Sequence, residues 1–240
     1  MRRVTRRTLL IAAVMVFAGC ASQRDHVGAA FRLEPGDLLF QDLDAGPLSD
    51  AIEKVTQGFD GAKFAHVGMV TRVDGNTVEI TEAVSAGVKT TPLSEFLARS
   101  ADANGHPKVL VGRLRPAYRR LIPEAVHVAR GFIGRPYDTA FTMGNDSFYC
   151  SELVYESFRE ANHGKPLFHP RPMTFKDPDS GTTFPAWTTY YHDLGKPIPE
   201  GQPGLNPGGI SRSPALAIVY AYGIPKGWRG HLSAGSPQRN

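Results

Sequence analysis

Three side chains in the sequence are of the types that together perform nucleophilic catalysis. His66 lies in the segment AHVGMV, Glu82 in ITEA and Cys150 in YCSELVY, with His66 preceding Cys150 by 84 positions. A cysteine nucleophile needs a thiolate, a base that takes or holds its proton, and a polar group that orients the base. These residue types therefore match the requirements of a cysteine hydrolase.

His66 and Glu82 lie on two predicted strands that a hairpin connects. Two runs rich in β-branched residues flank the sequence DGN at 74–76, which is a strong hairpin signal. If all three residues form the loop, Gly68 faces Glu82, and His66 lies diagonal to Glu82 on the same face of the sheet. A one-residue change of register would send Glu82 to the opposite face, so the pairing depends on the turn.

Cys150 is expected in the first turn of a helix over residues 149–161. Free backbone N–H groups and the positive end of the helix dipole stabilise a thiolate there and lower the pKa of the thiol. Leu153, Val154 and Phe158 lie at helical spacing from Cys150 and form a core stripe. The Cys150 side chain is therefore predicted to point inward.

Each of the three residues also has a purely structural interpretation. Cys150 could be a small buried hydrophobic residue, His66 a core histidine bonded to a backbone carbonyl, and Glu82 a solvated acid at a strand end. A His/Glu hairpin combined with a cysteine that opens a helix favours the catalytic interpretation of the set.

Hydrophobic periodicity and turn signals predict the elements that position these residues. The predictions are a turn leading into a buried strand at 31–40, helices at 48–57, 92–99 and 118–132, strands at 65–73, 77–83 and 108–115, and a packed segment at 215–222. Residues 161–240 hold 12 of the 19 prolines, which predicts long loops wrapped on the domain. Trp187, Tyr190 and Tyr191 within them are interpreted as core residues in preference to cleft residues.

The N-terminus has the pattern of an export signal. Four arginines precede an uncharged run of eleven residues, Leu9–Gly19, which is followed at once by Cys20. Eleven helical residues span about 16 Å, whereas a bilayer core needs about 30 Å, so residues 1–19 are predicted to be a signal peptide. The segment FAGC resembles a bacterial lipobox, although Phe17 departs from the usual aliphatic residue, and it predicts lipid modification of Cys20. TRRTLL resembles a twin-arginine motif, so export by the Sec or the twin-arginine route is expected.

The net charge of +4 belongs to this N-terminal segment. Removing its four arginines from 27 basic residues leaves 23, against 23 acidic residues. The processed chain would be neutral and carries no basic run interleaved with aromatics, so no nucleic-acid partner is expected. If Cys20 carries lipid, Cys150 is left as a free thiol in an oxidising compartment, where an unused exposed thiol is a liability.

Five short motifs resemble, in the same order, the permuted papain-like amidases of the YaeF/YiiX group in the NlpC superfamily. They are PGDLLF at 35–40, HVG at 66–68, EA at 82–83 with GV at 87–88, GRPYD at 134–138, and YCSELV at 149–154. The resemblance covers about residues 33–160. It implies an α+β fold, a circularly permuted papain-like (NlpC-type) domain in which an antiparallel sheet or small barrel packs against helices.

The resemblance also implies roles for individual residues. Cys150 would be the nucleophile, His66 its general base and later acid, and Glu82 the residue that orients His66. Tyr137 and Asp138 would lie in a loop lining the substrate cleft, although a simple Pro-Tyr turn explains them equally well. The backbone N–H of Cys150 would donate one hydrogen bond to the oxyanion.

The sequence thus predicts an envelope-tethered cysteine hydrolase that cleaves amide bonds. The expected layout is a signal peptide at 1–19, a lipidated tether at 20–30, a catalytic domain at 31–162 and a Pro-rich extension at 163–240. The expected substrate is a peptide or amide, such as the stem peptide of peptidoglycan, at the periplasmic face of the bacterial envelope; no cofactor is expected. The alternatives are an acyl-lipid amide or ester hydrolase or acyltransferase, and a non-catalytic binding lipoprotein. The loop histidines lack metal-ligand spacing, so no metal is expected.

Overall fold

The computed structural model of the chain describes residues 31–233. The predicted signal peptide, Cys20 and the tether lie outside the described residues. The helices and strands are β1 (Leu38–Gln41), α1 (Pro47–Val55), β2 (His66–Asp74), β3 (Thr77–Val84), β4 (Gly87–Pro92), α2 (Leu93–Ala98), β5 (Val109–Leu114), α3 (Ile122–Gly131), α4 (Cys150–Ala161), β6 (Arg171–Pro172), α5 (Pro185–Leu194), β7 (Pro203–Gly204), α6 (Pro207–Ser211) and β8 (Leu216–Ala221).

A six-stranded antiparallel sheet in the order β4-β3-β2-β1-β5-β8 is the centre of the fold. Successive strand residues point to opposite faces. One face buries Phe40 and Met69 in the same cluster as Val154 and Phe158 of α4. The other face buries Leu39 and neighbouring residues against α2. Each fully buried Leu, Phe or Met contributes about 1.5–3 kcal/mol, so the two clusters hold the sheet between its covering layers.

The α+β class with an antiparallel sheet packed against helices is confirmed. The one long helix predicted at 118–132 is wrong in its first four residues: a 3₁₀ helix, Pro116–Leu121, precedes α3. Pro123 lies in the first turn of α3, where its missing N–H costs nothing. The α-helix therefore begins at Ile122.

The region after residue 162 contains more structure than predicted. Strand β8 pairs with β5 in the central sheet, close to the packed segment expected at 215–222. The expectation of long loops with a single packed element is wrong, because α5 buries Trp187 and Tyr191 against α1. Two local features of the sequence are typical of the ends of α5: a proline in its first turn and a glycine at its end, Gly195, which adopts the left-handed conformation. Residues 31–233 lie within one packed unit.

Within residues 31–233, no helix combines the length and the hydropathy that crossing a membrane requires.

Candidate active site

Cys150 occupies the first position of α4. Tyr149 before it is extended, with φ −90° and ψ 168°, and the helix begins at Cys150 as predicted. The side chain points inward and is 7% exposed. The backbone N–H of Val67 helps to lower the pKa of the thiol, and Sγ of Cys150 lies 3.9 Å from Ser151 Oγ. The thiol is therefore held where strand β2 begins.

The β2–β3 hairpin brings His66 and Glu82 together, but not through the predicted turn. The loop has two residues rather than three, because Asp74 pairs with Thr77. A two-residue loop alone would put Glu82 on the wrong face. A β-bulge at Thr71, between Val70 and Arg72, inserts one residue into β2 and restores the predicted register at the site end of the hairpin.

Glu82 fixes the imidazole of His66. The Nε2 of His66 lies 2.7 Å from Oε2 of Glu82, which is fully buried. An ionised carboxylate only accepts hydrogen bonds, so Nε2 carries a proton and Nδ1 is the nitrogen left for Cys150. The imidazole thus lies between the carboxylate and the thiol, as the orienting role of Glu82 requires.

Two residues that the sequence did not identify complete the carboxylate environment. Thr91 Oγ1 on β4 donates to Glu82 Oε1 at 2.5 Å, and Arg99 Nη2 donates to Oε2 at 2.6 Å. Arg99 follows α2, and its guanidinium lies over the ring of Phe96. Strand β4 was not predicted, and no spacing in the sequence indicates that either residue contacts Glu82.

These contacts set the charge of the three groups. Burial alone would raise the pKa of Glu82, but hydrogen bonds and charge from His66, with the donors Arg99 and Thr91, lower it to about 2. Burial alone would lower the pKa of His66, but its bonds to Cys150 and Glu82 raise it to about 9. Burial opposes ionisation of Cys150 too, yet the His66 imidazolium lowers the pKa of the thiol. The favoured state is a thiolate–imidazolium pair beside a carboxylate.

The side chains of the neighbouring residues Tyr137 and Asp138 lie in different environments. A parallel β-bridge between Tyr137 and Phe148 places the tyrosine near Cys150. Tyr137 lines a cleft that opens beside this cysteine. The buried carboxylate of Asp138 accepts from the backbone N–H groups of Ala140 and Thr142, at 2.8 and 2.7 Å. Asp138 thus orders the loop behind the cleft, and its predicted contact with substrate stays a prediction.

A cleft of about 170 Å³ opens beside Cys150. Its walls come from α1, α5 and the loops around β6 and β7. Trp187 is both buried and part of the lining, so the core and cleft interpretations of this residue both hold. Most of the lining is apolar, contributed chiefly by Ile52, Val55, Phe141, Phe175, Trp187 and Leu205.

Comparisons with known proteins agree with this geometry. The family described as permuted papain-like amidase enzyme, YaeF/YiiX, C92 family, matches residues 32–220. The protein YiiX of Escherichia coli K12 is 27% identical over 132 residues, which cover 55% of this chain and 60% of that relative. The chain thus spans less than two thirds of the curated relative.

The crystal structure of a metalloprotein yiiX from Escherichia coli O157:H7 is similar to this fold. Its TM-score is 0.64 at 25% identity, covering 81% of this chain and all of that one. Among residues 31–233, no group of three or more His, Cys, Asp or Glu side chains is arranged to hold a metal ion.

Proposed function

The chain belongs to the permuted papain-like amidases of the YaeF/YiiX, C92 family, a family of cysteine peptidases and amidases, and on that basis we propose that it hydrolyses amide bonds through an acyl-enzyme on Cys150. The observation that carries the proposal is the buried contact chain from Cys150 through His66 to Glu82. A binding protein would need neither a lowered thiol pKa nor an oriented imidazole. The contacts therefore favour catalysis over the non-catalytic alternative.

Cys150 and His66 act in both half-reactions, acylation and deacylation. The Cys150 thiolate attacks the carbonyl carbon, and the tetrahedral intermediate collapses as the C–N bond breaks. The imidazolium of His66 gives its proton to the leaving amine, which leaves a thioester on Cys150. Water then attacks the thioester and His66 takes a proton from that water. The C–S bond breaks, the acid product leaves, and the thiolate–imidazolium pair is restored.

Two donors are available to the oxyanion. The backbone N–H of Cys150 lies in the first turn of α4, where it has no partner within the helix. Tyr137 lines the cleft, and its hydroxyl is the proposed second donor; burial raises the pKa of Tyr137, so the phenol keeps its proton at neutral pH. Replacing Tyr137 by Phe is expected to lower kcat roughly 10²-fold with little change in KM, as loss of one oxyanion donor does. An unchanged kcat in that variant would remove Tyr137 from the mechanism.

Two substrate classes are considered. A cell-wall peptide fits the amidase chemistry and the export signal. The apolar lining beside Cys150 favours the second class, an acyl-lipid amide or ester whose acyl group enters the cleft. The test is incubation of the wild type and Cys150→Ala with purified peptidoglycan fragments and with N-acyl lipids, followed by mass spectrometry. Products that depend on Cys150 from one set assign the class, and their absence from both sets would contradict the hydrolase.

We also propose that the protein is exported and anchored in the envelope through lipid on Cys20. The support is the sequence FAGC after the apolar run Leu9–Gly19. Labelling cells with palmitate is expected to modify the wild type and not Cys20→Ser, whereas equal labelling would contradict the anchor. Replacing Arg6 and Arg7 by Lys blocks export only if the twin-arginine route is used.

A further inference from the structure

Two side chains that line the cleft beside Cys150, Trp187 and Arg171, carry hydrogen-bond donors that have no described acceptor and that the proposed mechanism does not use. The Trp187 side chain is 4% exposed, and its indole N–H has no partner within residues 31–233. Arg171 on β6 lines the same cleft, is exposed and forms no ion pair with any side chain that the structure describes. A buried donor without an acceptor costs about 1–3 kcal/mol, so a ligand acceptor would relieve this cost.

Several other polar groups of the lining are bonded within the protein. Thr56 Oγ1 donates to the Ile52 carbonyl at 2.6 Å, and the Tyr149 hydroxyl accepts from Leu205 N at 3.0 Å. The side chain of Asn206 accepts from Gly209 N at 2.6 Å. No Asp or Glu is among the described lining residues. Apart from the Cys150 thiolate, the one charged side chain among the described lining residues is therefore a cation, Arg171.

The remaining surface of the cleft is apolar and compact. Phe141 and Phe175 pack edge-to-face against Trp187 at centroid distances of 5.7 and 5.1 Å, which fixes the indole in place. The volume of about 170 Å³ resembles engineered apolar cavities of about 150 Å³ that bind benzene. The cleft therefore suits an apolar group about the size of one aromatic ring or a short acyl chain.

We infer that the cleft recognises amides that combine a compact apolar group on one side of the bond with a carboxylate on the other, Arg171 binding the carboxylate and the Trp187 N–H donating to a ligand oxygen. The inference rests on the proposed function for the position of the amide at Cys150. This chemistry occurs in N-acyl amino acids and at the carboxyl termini of peptides.

Binding to Cys150→Ala protein, which is free of turnover, tests the inference by isothermal titration. The ligands are two matched pairs: N-hexanoylglycine with its C-terminal amide, and N-acetyl-Phe-Gly with its C-terminal amide. Because a charge-assisted bond is stronger than a neutral one, the acid of a pair is expected to bind roughly tenfold more tightly than the amide. The pair with the larger preference identifies the source of the ligand.

Single substitutions separate the two donors. Arg171→Gln is expected to abolish the preference for the acid, whereas Arg130→Gln, which removes an exposed arginine of α3 outside the cleft, leaves it unchanged. Trp187→Phe keeps the apolar contacts and is expected to weaken acid and amide alike by roughly 3- to 10-fold. Circular dichroism of each variant confirms that it is folded.

Equal binding of acid and amide, absence of binding by both, or a preference that survives Arg171→Gln would overturn the inference. These outcomes are distinct from failure of the hydrolase proposal. If the wild type hydrolyses none of the ligands while Cys150→Ala still prefers the acids, the recognition stands and the hydrolysis fails. If the wild type hydrolyses the ligands while Cys150→Ala shows no preference, the hydrolysis stands and the recognition fails.

Discussion

Glu82 is a charged side chain in a fully buried position, and its partners explain why it can remain there. An isolated buried carboxylate would lose its hydration and take up a proton. Three donors, from His66, Thr91 and Arg99, reach its two oxygens at 2.5–2.7 Å and keep it ionised. The charge then stabilises the imidazolium of His66, which in turn stabilises the Cys150 thiolate.

Glu82→Gln is expected to disable the site without unfolding the chain. The amide keeps the shape of the side chain but removes the charge that holds the protonated imidazole, so kcat/KM is expected to fall by about 10²- to 10⁴-fold. Glu79→Gln, on the same strand and paired with the exposed Arg72, is the matched control and should retain activity. Equal activity of the two variants would contradict the orienting role.

The contribution of the Glu82 carboxylate to the stability of the folded chain is expected to depend on pH. The folded-state pKa of Glu82, about 2, lies below its ordinary value of 4.5. Its stabilising contribution is therefore present above pH 4.5 and is lost as the pH falls toward 2. The difference in Tm between wild type and Glu82→Gln is expected to shrink over this acid range, as measured by thermal denaturation.

The lowered pKa of Cys150 and the raised pKa of His66 predict how alkylation and hydrolysis depend on pH. In a Cys20→Ala background, iodoacetamide should alkylate Cys150 with a midpoint well below the value of about 8.5 for a free thiol. Hydrolysis should decline as the pH rises through about 9, where His66 loses the proton that it gives to the leaving amine.

His66→Ala supplies the control for this profile. Without the imidazolium, the effect of burial on Cys150 is opposed only by the smaller effects of Ser151 and the Val67 backbone, so the alkylation midpoint should rise to the free-thiol value or above it. A midpoint near the free-thiol value of about 8.5 in both proteins would sink the catalytic interpretation.

The β2–β3 hairpin is the element that decides whether the site exists. The bulge at Thr71 compensates for the two-residue loop. A hydrogen bond of 2.7 Å between Thr71 Oγ1 and Thr81 Oγ1 joins the bulge to the neighbouring strand. Between His66 and Glu82 lies Gly68, which leaves space for the side chains on either side. A Cβ on Gly68 would lie 2.5 Å from Ile80 Cγ2 and 2.9 Å from Phe96 Cε2.

Gly68→Ala is therefore expected to destabilise the chain by about 1–3 kcal/mol, since neither neighbour is a flexible side-chain end. Activity should fall further than stability requires, because the strands that carry His66 and Glu82 must separate. Gly131→Ala at the end of α3, where nothing lies within 4 Å, is the control and should be nearly neutral. Unfolding in urea and the rate of hydrolysis measure the two effects, and a stable, fully active Gly68→Ala would contradict the close packing.

At the scale of the whole molecule, the C-terminal region completes both the sheet and the cleft. Strand β8 covers the edge of β5, and Ile218 is fully buried in the main core. The backbone of Leu205 donates to Tyr149, the residue before the nucleophile. The region is therefore structural as well as part of the cleft wall.

Truncation after residue 162 is expected to abolish folding. It removes several buried side chains, each of which contributes about 1.5–3 kcal/mol. Their summed loss is comparable with the whole free energy of unfolding of a typical domain, about 5–15 kcal/mol. Circular dichroism and size-exclusion chromatography measure the outcome. Truncation after Ser233 keeps every described residue and should leave the protein folded; a folded, active chain ending at 162 would show that the region is dispensable.

Local patterns in the sequence were sufficient to predict most elements and to select the three residues that the proposed mechanism uses. Alternating β-branched residues, turn residues and helical spacing act over a few positions, so β2, β3, β5 and α4 could be predicted within a few residues of their bounds. Cys150, His66 and Glu82 were identified from residue type and position within these elements.

Tertiary structure decided how those elements meet. The bulge at Thr71, the hydrogen bonds from Thr91 and Arg99 to Glu82, and the wall that α5 adds to the cleft all join segments far apart in the chain. No local pattern specifies such contacts, because they depend on strand register and on packing between layers. The sequence by itself determined which groups could react, whereas the packed fold determined their charge, their orientation and the apolar space in front of the thiol.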